Sequence, residues 1–153
     1  MTEIQSSPVN ILMAEDDDGH ALLIQRALRD AGLINPILRF RDGQEILDHL
    51  QGPNVALEKG QTYLLLLDIQ MPRMDGVEVL RILKANPGLK DIPVIMLTTT
   101  DDPREVQRCY ELGCNWYITK PVEFASFVET LNRMGLFIQV VKVAPLSYDG
   151  GRA

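Results

Sequence analysis

Four apolar runs in this chain end in residues that can do chemistry. Ile11 to Ala14 runs into Glu15, Asp16, Asp17 and Asp18; Leu64 to Leu67 ends in Asp68; Val94 to Leu97 ends in Thr98; and Trp116 to Thr119 ends in Lys120. Carboxylates held close together raise one another's pKa, and a hard divalent cation relieves that repulsion while accepting oxygen ligands. Mg2+ suits such a set, because it takes one or two carboxylates plus waters and phosphate oxygens, whereas zinc prefers sulfur and imidazole. A carboxylate can also be a nucleophile that forms an acyl phosphate. Asp68 is the choice for that role, since it ends the most apolar run. Lys120 and the cation would neutralise incoming phosphoryl oxygens, and Thr98 would donate a hydroxyl hydrogen bond.

Competing sites are weaker. An EF-hand starting at Asp16 needs glycine at 21 and glutamate at 27, and both positions are alanine. His20 and His49 are expected on the surface. Cys109 and Cys114 lack metal or redox spacing and read as reduced, half-buried thiols on or near one helix.

The positioning elements follow from periodicity. Val9 to Ala14 reads as a strand buried on both faces, followed by a helix carrying Ile24, Ala27, Leu28 and Ala31 that stops at Gly32. Ile37 to Phe40 is a short strand, and Asp42 with Gly43 opens a helix bearing Ile46, Leu47 and Leu50. Leu64 to Leu67 is a strand, and Asp75 caps a helix bearing Val79, Ile82 and Leu83. Val94 to Thr98 is the fourth strand, and Asp102 and Pro103 begin a helix that ends at Gly113. Trp116 to Thr119 is the fifth strand, with a final helix carrying Phe124, Phe127, Val128 and Leu131. Strictly alternating strands and helices predict a parallel sheet covered on both faces, with ligands bound beyond the carboxyl ends of the strands. Those ends are where Glu15, Asp16, Asp68, Thr98 and Lys120 fall; the second strand offers nothing comparable.

Length and charge bound the function. With 153 residues, 46% hydrophobic and 24% charged, the chain reads as one domain with a sizeable core. A formal net charge of -6 with scattered Lys and Arg argues against nucleic acid as a partner. There is no signal peptide and no apolar run long enough to span a membrane, so a cytoplasmic location is expected.

The pieces MAEDD, LLLLDIQMPRMDG, VIMLTT and YITKP, in this order and spacing, make the chain resemble the receiver domain of two-component response regulators. The resemblance runs from about Val9 to the helix after Pro121. It implies a flavodoxin-like, doubly wound fold with strand order 2-1-3-4-5. It further implies Asp68 as phosphoacceptor, with Asp16, Asp68 and the backbone carbonyl of Gln70 as Mg2+ ligands and Glu15 acting through a metal-bound water. Thr98 matches the switch hydroxyl, Lys120 the family lysine and Tyr117 the aromatic whose rotamer follows phosphorylation. Gln70 and Thr100 match the variable positions that tune dephosphorylation. Pro121 follows the lysine, in relatives often through a cis bond. The implied partner is a sensor histidine kinase, and the implied role is signalling rather than turnover.

The ends complete the expected organisation: a tail over 1–8, a receiver over 9–134 and an extension over 135–153. Gly135 is expected to end the last helix, and the β-branched run after it to be extended. Phe137, Ile138, Val140, Val141 and Val143 either fold back over the chain's own core or exchange with a second copy as a homodimer arm, the reading preferred here. No effector domain is recognisable after this run, which predicts a stand-alone receiver. The extension and the long segment from Gln51 to Tyr63 resemble single-domain regulators that accompany phytochrome-type kinases. A haloacid-dehalogenase-like phosphatase would need an acid at Gln70, and a flavodoxin would need a phosphate cradle in place of the acid run.

Overall fold

The computed structural model describes residues 9–52 and 57–146, so the expected N-terminal tail over 1–8 and the last seven residues lie outside it. Five strands alternate with five helices: β1 (Asn10–Ala14), α1 (Asp18–Asp30), β2 (Ile37–Phe40), α2 (Gly43–Gln51), β3 (Tyr63–Leu67), α3 (Gly76–Ala85), β4 (Val94–Thr98), α4 (Pro103–Leu112), β5 (Trp116–Thr119) and α5 (Phe124–Val140). The sheet order is β2-β1-β3-β4-β5, the expected flavodoxin-like order, and every pairing is parallel.

Side-chain alternation splits the core into two layers. Leu12, Ala14, Leu65, Leu67, Val94 and Met96 face α2, α3 and α4, where they meet Ile46, Leu50, Val79, Leu80, Leu83 and Cys109. Ile11, Met13, Leu64, Leu66, Ile95 and Leu97 face α1 and α5, where they meet Ile24, Leu28, Phe127, Leu131 and Met134. Burying each such Leu or Ile stabilises the fold by roughly 1.5–3 kcal/mol, which is why a run of four leucines marks the central strand.

The helix starts obey one rule. Asp17, Asp42, Asp75 and Asp102 each accept a hydrogen bond from a first-turn backbone N–H at 2.9 Å, and so cap α1 to α4. At the far end of α4, Gly113 adopts φ +110 and closes a Schellman turn, with Cys114 N bonded to Cys109 O at 3.0 Å. Both cysteines are free and fully buried rather than half-exposed, and burial pushes their thiols up to about 12 and about 11.

The last helix corrects one expectation. Gly135 does not end it; α5 continues to Val140. A Cβ at 135 would lie 2.9 Å from the Ala31 Cβ and 3.1 Å from the Ala27 carbonyl, so this glycine lets α5 cross close to α1. Ile138, read as an arm residue, is buried in the chain's own core, and Phe137 packs edge-on against Trp116 at 4.9 Å. After Val140 the chain turns back under the sheet. Leu146 N donates to Gln61 O at 2.7 Å, Gly60 N donates to Leu146 O at 2.8 Å, and the Leu146 side chain joins the core. Leu136 and Val140 remain exposed. No helix among the described residues is long and apolar enough to cross a membrane.

Candidate functional site

Parallel pairing brings the carboxyl ends of β1, β3, β4 and β5 to one edge, and backbone bonds past the strand ends hold the polar residues there. Glu15 N donates to Phe40 O at 3.0 Å and Asp68 N to Ala14 O at 3.1 Å, each extending a ladder by one residue. Lys120 N donates to Thr98 O at 2.6 Å, tying the ends of β4 and β5 together. The Lys120–Pro121 peptide is trans, since the described residues contain no cis bond.

The side chains converge as the sequence predicts. Oxygens of Glu15, Asp16 and Asp68 all lie within 4.8 Å of one another. Lys120 Nζ donates to Glu15 Oε1 at 2.6 Å and to Asp68 Oδ2 at 3.1 Å, and this ion pair is almost wholly buried. Gln70 N donates to Asp68 Oδ1 at 3.3 Å. Thr98 is fully buried and its Oγ1 has no hydrogen bond of normal geometry, although its dipole is felt at Asp68. Asp16 is exposed and has no hydrogen bond or ion pair among the described residues. Three carboxylates with no thiolate beside them fit a hard divalent cation.

Electrostatics differentiate the two buried acids. Burial, and then the neighbouring Asp68 carboxylate, push the Glu15 carboxyl up to about 8 against the pull of Lys120. Burial also pushes Asp68 up, but the hydrogen bond with Glu15 and the Lys120 charge together hold it below the ordinary carboxylate range. Burial thus favours the protonated form of Glu15, and the Lys120 charge favours the ionised form of Asp68.

The loop after β3 is built around Asp68. Gly76 N donates to Ile69 O at 2.8 Å, and a Cβ at Gly76 would fall 2.0 Å from the Asp68 carbonyl, so only glycine allows α3 to start this close. In the same loop Arg73 takes φ 65 and pairs in a bidentate manner with Asp42, at 2.9 and 3.1 Å. That pair ties the β3–α3 loop to the start of α2. Tyr117, half-buried, donates its hydroxyl to Thr100 O at 2.6 Å, and its backbone N donates to the Tyr110 hydroxyl at 3.1 Å.

Two contributions depart from the sequence reading. His20, expected on the surface, stands at the site with Nδ1 3.1 Å from Glu15 Oε1 and 3.2 Å from Lys120 Nζ. Its place in the first turn of the helix that leaves the acid run was the available signal. The second strand, expected to offer nothing, supplies Arg39, whose Nε donates to Glu15 O at 2.9 Å, and with Arg41 it neutralises Asp18 at 2.6 and 2.8 Å. His49 is also less exposed than expected, lying against the Phe40 ring at 5.0 Å with burial lowering its pKa.

Comparison with known proteins agrees with this geometry. The profile of the response regulator receiver domain family matches residues 11–132. Response regulator Rcp1 of Synechocystis is 36% identical over 120 residues, 78% of this chain and 82% of Rcp1; its solved structure is an Mn2+-bound form, with a TM-score of 0.81, 31% identity and coverage of 90% and 99% of the two chains. A response regulator receiver domain from Rhodospirillum rubrum superposes with a TM-score of 0.86 at 45% identity, covering 92% of this chain and 99% of that one. The phosphorylated cyanobacterial phytochrome response regulator RcpA gives 0.79 at 29% identity, covering 90% and 99%. With the receiver profile matching residues 11–132 and relatives at 36% and 45% identity, the chain belongs to the family of response regulator receiver domains.

Proposed function

We infer that this chain accepts a phosphoryl group on Asp68 from a phosphohistidine of a sensor histidine kinase. The observation that carries the reading is the pairing of a buried, ionised Asp68 with Lys120 Nζ at 3.1 Å beside a cluster of three carboxylates. An Asp68 oxygen attacks phosphorus, the phosphorus–nitrogen bond breaks, and its electron pair stays on the departing imidazole. Lys120 balances charge on the phosphoryl oxygens, and Thr98, whose hydroxyl has no other partner, donates a hydrogen bond to one of them. Asp16, Asp68 and the backbone carbonyl of Gln70 would hold Mg2+ directly and Glu15 through a water; when bound, the cation would offset the negative charge that gathers at the phosphoryl group.

Movement of Thr98 towards the phosphoryl group opens room beside β4. Tyr117 then gives up its bond to the Thr100 carbonyl and turns inward, which changes the α4–β5–α5 face. The side chains of Gln70 and Thr100 border the acyl phosphate and set how readily water reaches it. The role is signalling, with catalysis limited to the protein's own phosphorylation and dephosphorylation. Likeness to the phytochrome response regulator RcpA favours a phytochrome-type kinase as donor, and we place the chain in the cytoplasm with it. Leu136, Phe137 and Val140, within the 135–153 extension, expose apolar surface, and we assign this surface to a homodimer contact.

The test is intact mass after incubation with a small acyl phosphate and Mg2+. The wild type gains the mass of one phosphoryl group and Asp68→Asn gains none; an unmodified, folded wild type refutes the reading.

A further inference from the structure

An ammonium has three N–H donors and no acceptor. Lys120 Nζ has three acceptors in reach: Glu15 Oε1 at 2.6 Å, Asp68 Oδ2 at 3.1 Å and His20 Nδ1 at 3.2 Å. In the tautomer that carries its ring proton on Nε2, Nδ1 is the third of these acceptors. Nδ1 also lies 3.1 Å from Glu15 Oε1, and the positive charge on Nζ holds these two acceptors together.

His20 is itself well fixed. Its backbone N–H is bonded to the capping carboxylate of Asp17 at 2.9 Å, and its ring stands edge-on to Phe127 of α5 at 5.1 Å. The side chain is 34% exposed, so the imidazole is partly screened from solvent where it lies beside Lys120.

We propose that His20 is a positioning residue for phosphoryl transfer, its Nδ1 fixing the Lys120 ammonium against Asp68. This rests on the reading of Asp68 as phosphoacceptor. An ammonium with only two partners swings towards solvent or towards the second oxygen of Glu15. Its charge is then poorly placed when negative charge develops on the phosphoryl oxygens, a stage at which preorganised charge contributes most. Since the third partner acts on orientation and not on donor binding, its loss lowers the limiting rate and leaves the half-saturating donor concentration unchanged.

The experiment follows the phosphoryl mass gain over time at saturating Mg2+, with a small acyl phosphate as donor, in the full chain and its variants. His20→Leu keeps apolar contact with Phe127 but has no acceptor, and the limiting rate falls about tenfold, the scale of a hydrogen bond to a charged group. His20→Asn presents an amide oxygen at the position of Nδ1 and recovers most of that loss. A His20→Leu rate equal to wild type overturns the proposal. So do equal losses in the Leu and Asn variants, which would reduce His20 to packing on Phe127, and so does a change confined to the half-saturating concentration. His20→Ala gives the same comparison if the leucine disturbs the fold. A wild type that gains no phosphoryl mass, or an Asp68→Asn variant that gains it at the wild-type rate, instead refutes the reading on which the proposal rests.

Discussion

Glu15 makes the stability of the metal-free protein depend on pH in an unusual direction. Its carboxyl rises from 4.5 to about 8 on folding, so the folded state binds a proton that the unfolded state releases. A raised folded pKa gives stability that is complete below 4.5 and lost as pH climbs through 8. Asp17, Asp18 and Asp42 work the other way: they lie below their ordinary values, and their contribution is lost only on acidification. His49, lowered by burial, also favours the folded state more as pH rises, but that change ends near its ordinary value of 6.5. Between about pH 6.5 and about pH 8.5 Glu15 therefore dominates, and the two-state linkage relation gives a loss of about 2 kcal/mol across that window.

Urea unfolding of the metal-free protein at the two pH values measures this loss. Glu15→Gln keeps the shape, removes the titration and should flatten the profile. Saturating Mg2+ should also flatten it, because a nearby dication favours ionised Glu15, and Mg2+ binding near neutral pH should release close to one proton. Equal stability of the metal-free wild type at both pH values, with no proton released on Mg2+ binding, would show that Glu15 is already ionised and that the charge division between Glu15 and Asp68 is wrong.

Two further outcomes follow from packing. Thr98→Val replaces a buried hydroxyl that has no partner, so the unphosphorylated protein should gain about 1 kcal/mol in urea unfolding; a destabilised variant would mean that the hydroxyl is bonded after all. Gly135→Ala should cost about 1–3 kcal/mol by forcing α5 away from Ala31, and a neutral result would show that the helices can separate freely.

What the sequence disclosed was local pattern. Leu64 to Leu67 announces a strand buried on both faces because four consecutive leucines suit no amphipathic element, and aspartates followed by helical periodicity announce caps because their carboxylates match free N–H groups. The strand-end residues could be gathered because parallel topology alone puts those ends on one edge. Contacts set by helix crossing were not legible. Gly135 looks like a stop signal in a one-dimensional pattern; its reason for being glycine is Ala31, over one hundred positions earlier, and that proximity exists only once α1 and α5 have packed. The same crossing turns His20 inward, since Phe127 meets its ring from the other helix.

The acid run is intelligible as four different solutions to one electrostatic problem. Glu15 is buried and answered by Lys120, from 105 residues away; Asp17 is answered by the first-turn N–H of His20; Asp18 is answered by Arg39 and Arg41 at the end of the neighbouring strand. Each answer offsets the charge of one carboxylate, and of the run only Asp16, exposed and unpaired among the described residues, is left without one. Asp68 keeps one oxygen on Lys120 and the other on the Gln70 amide, both contacts that a metal or a phosphoryl group can take over without unpairing a buried charge. The run therefore concentrates acids at the sheet edge while leaving Asp16 uncompensated, with oxygens of Glu15, Asp16 and Asp68 within 4.8 Å of one another.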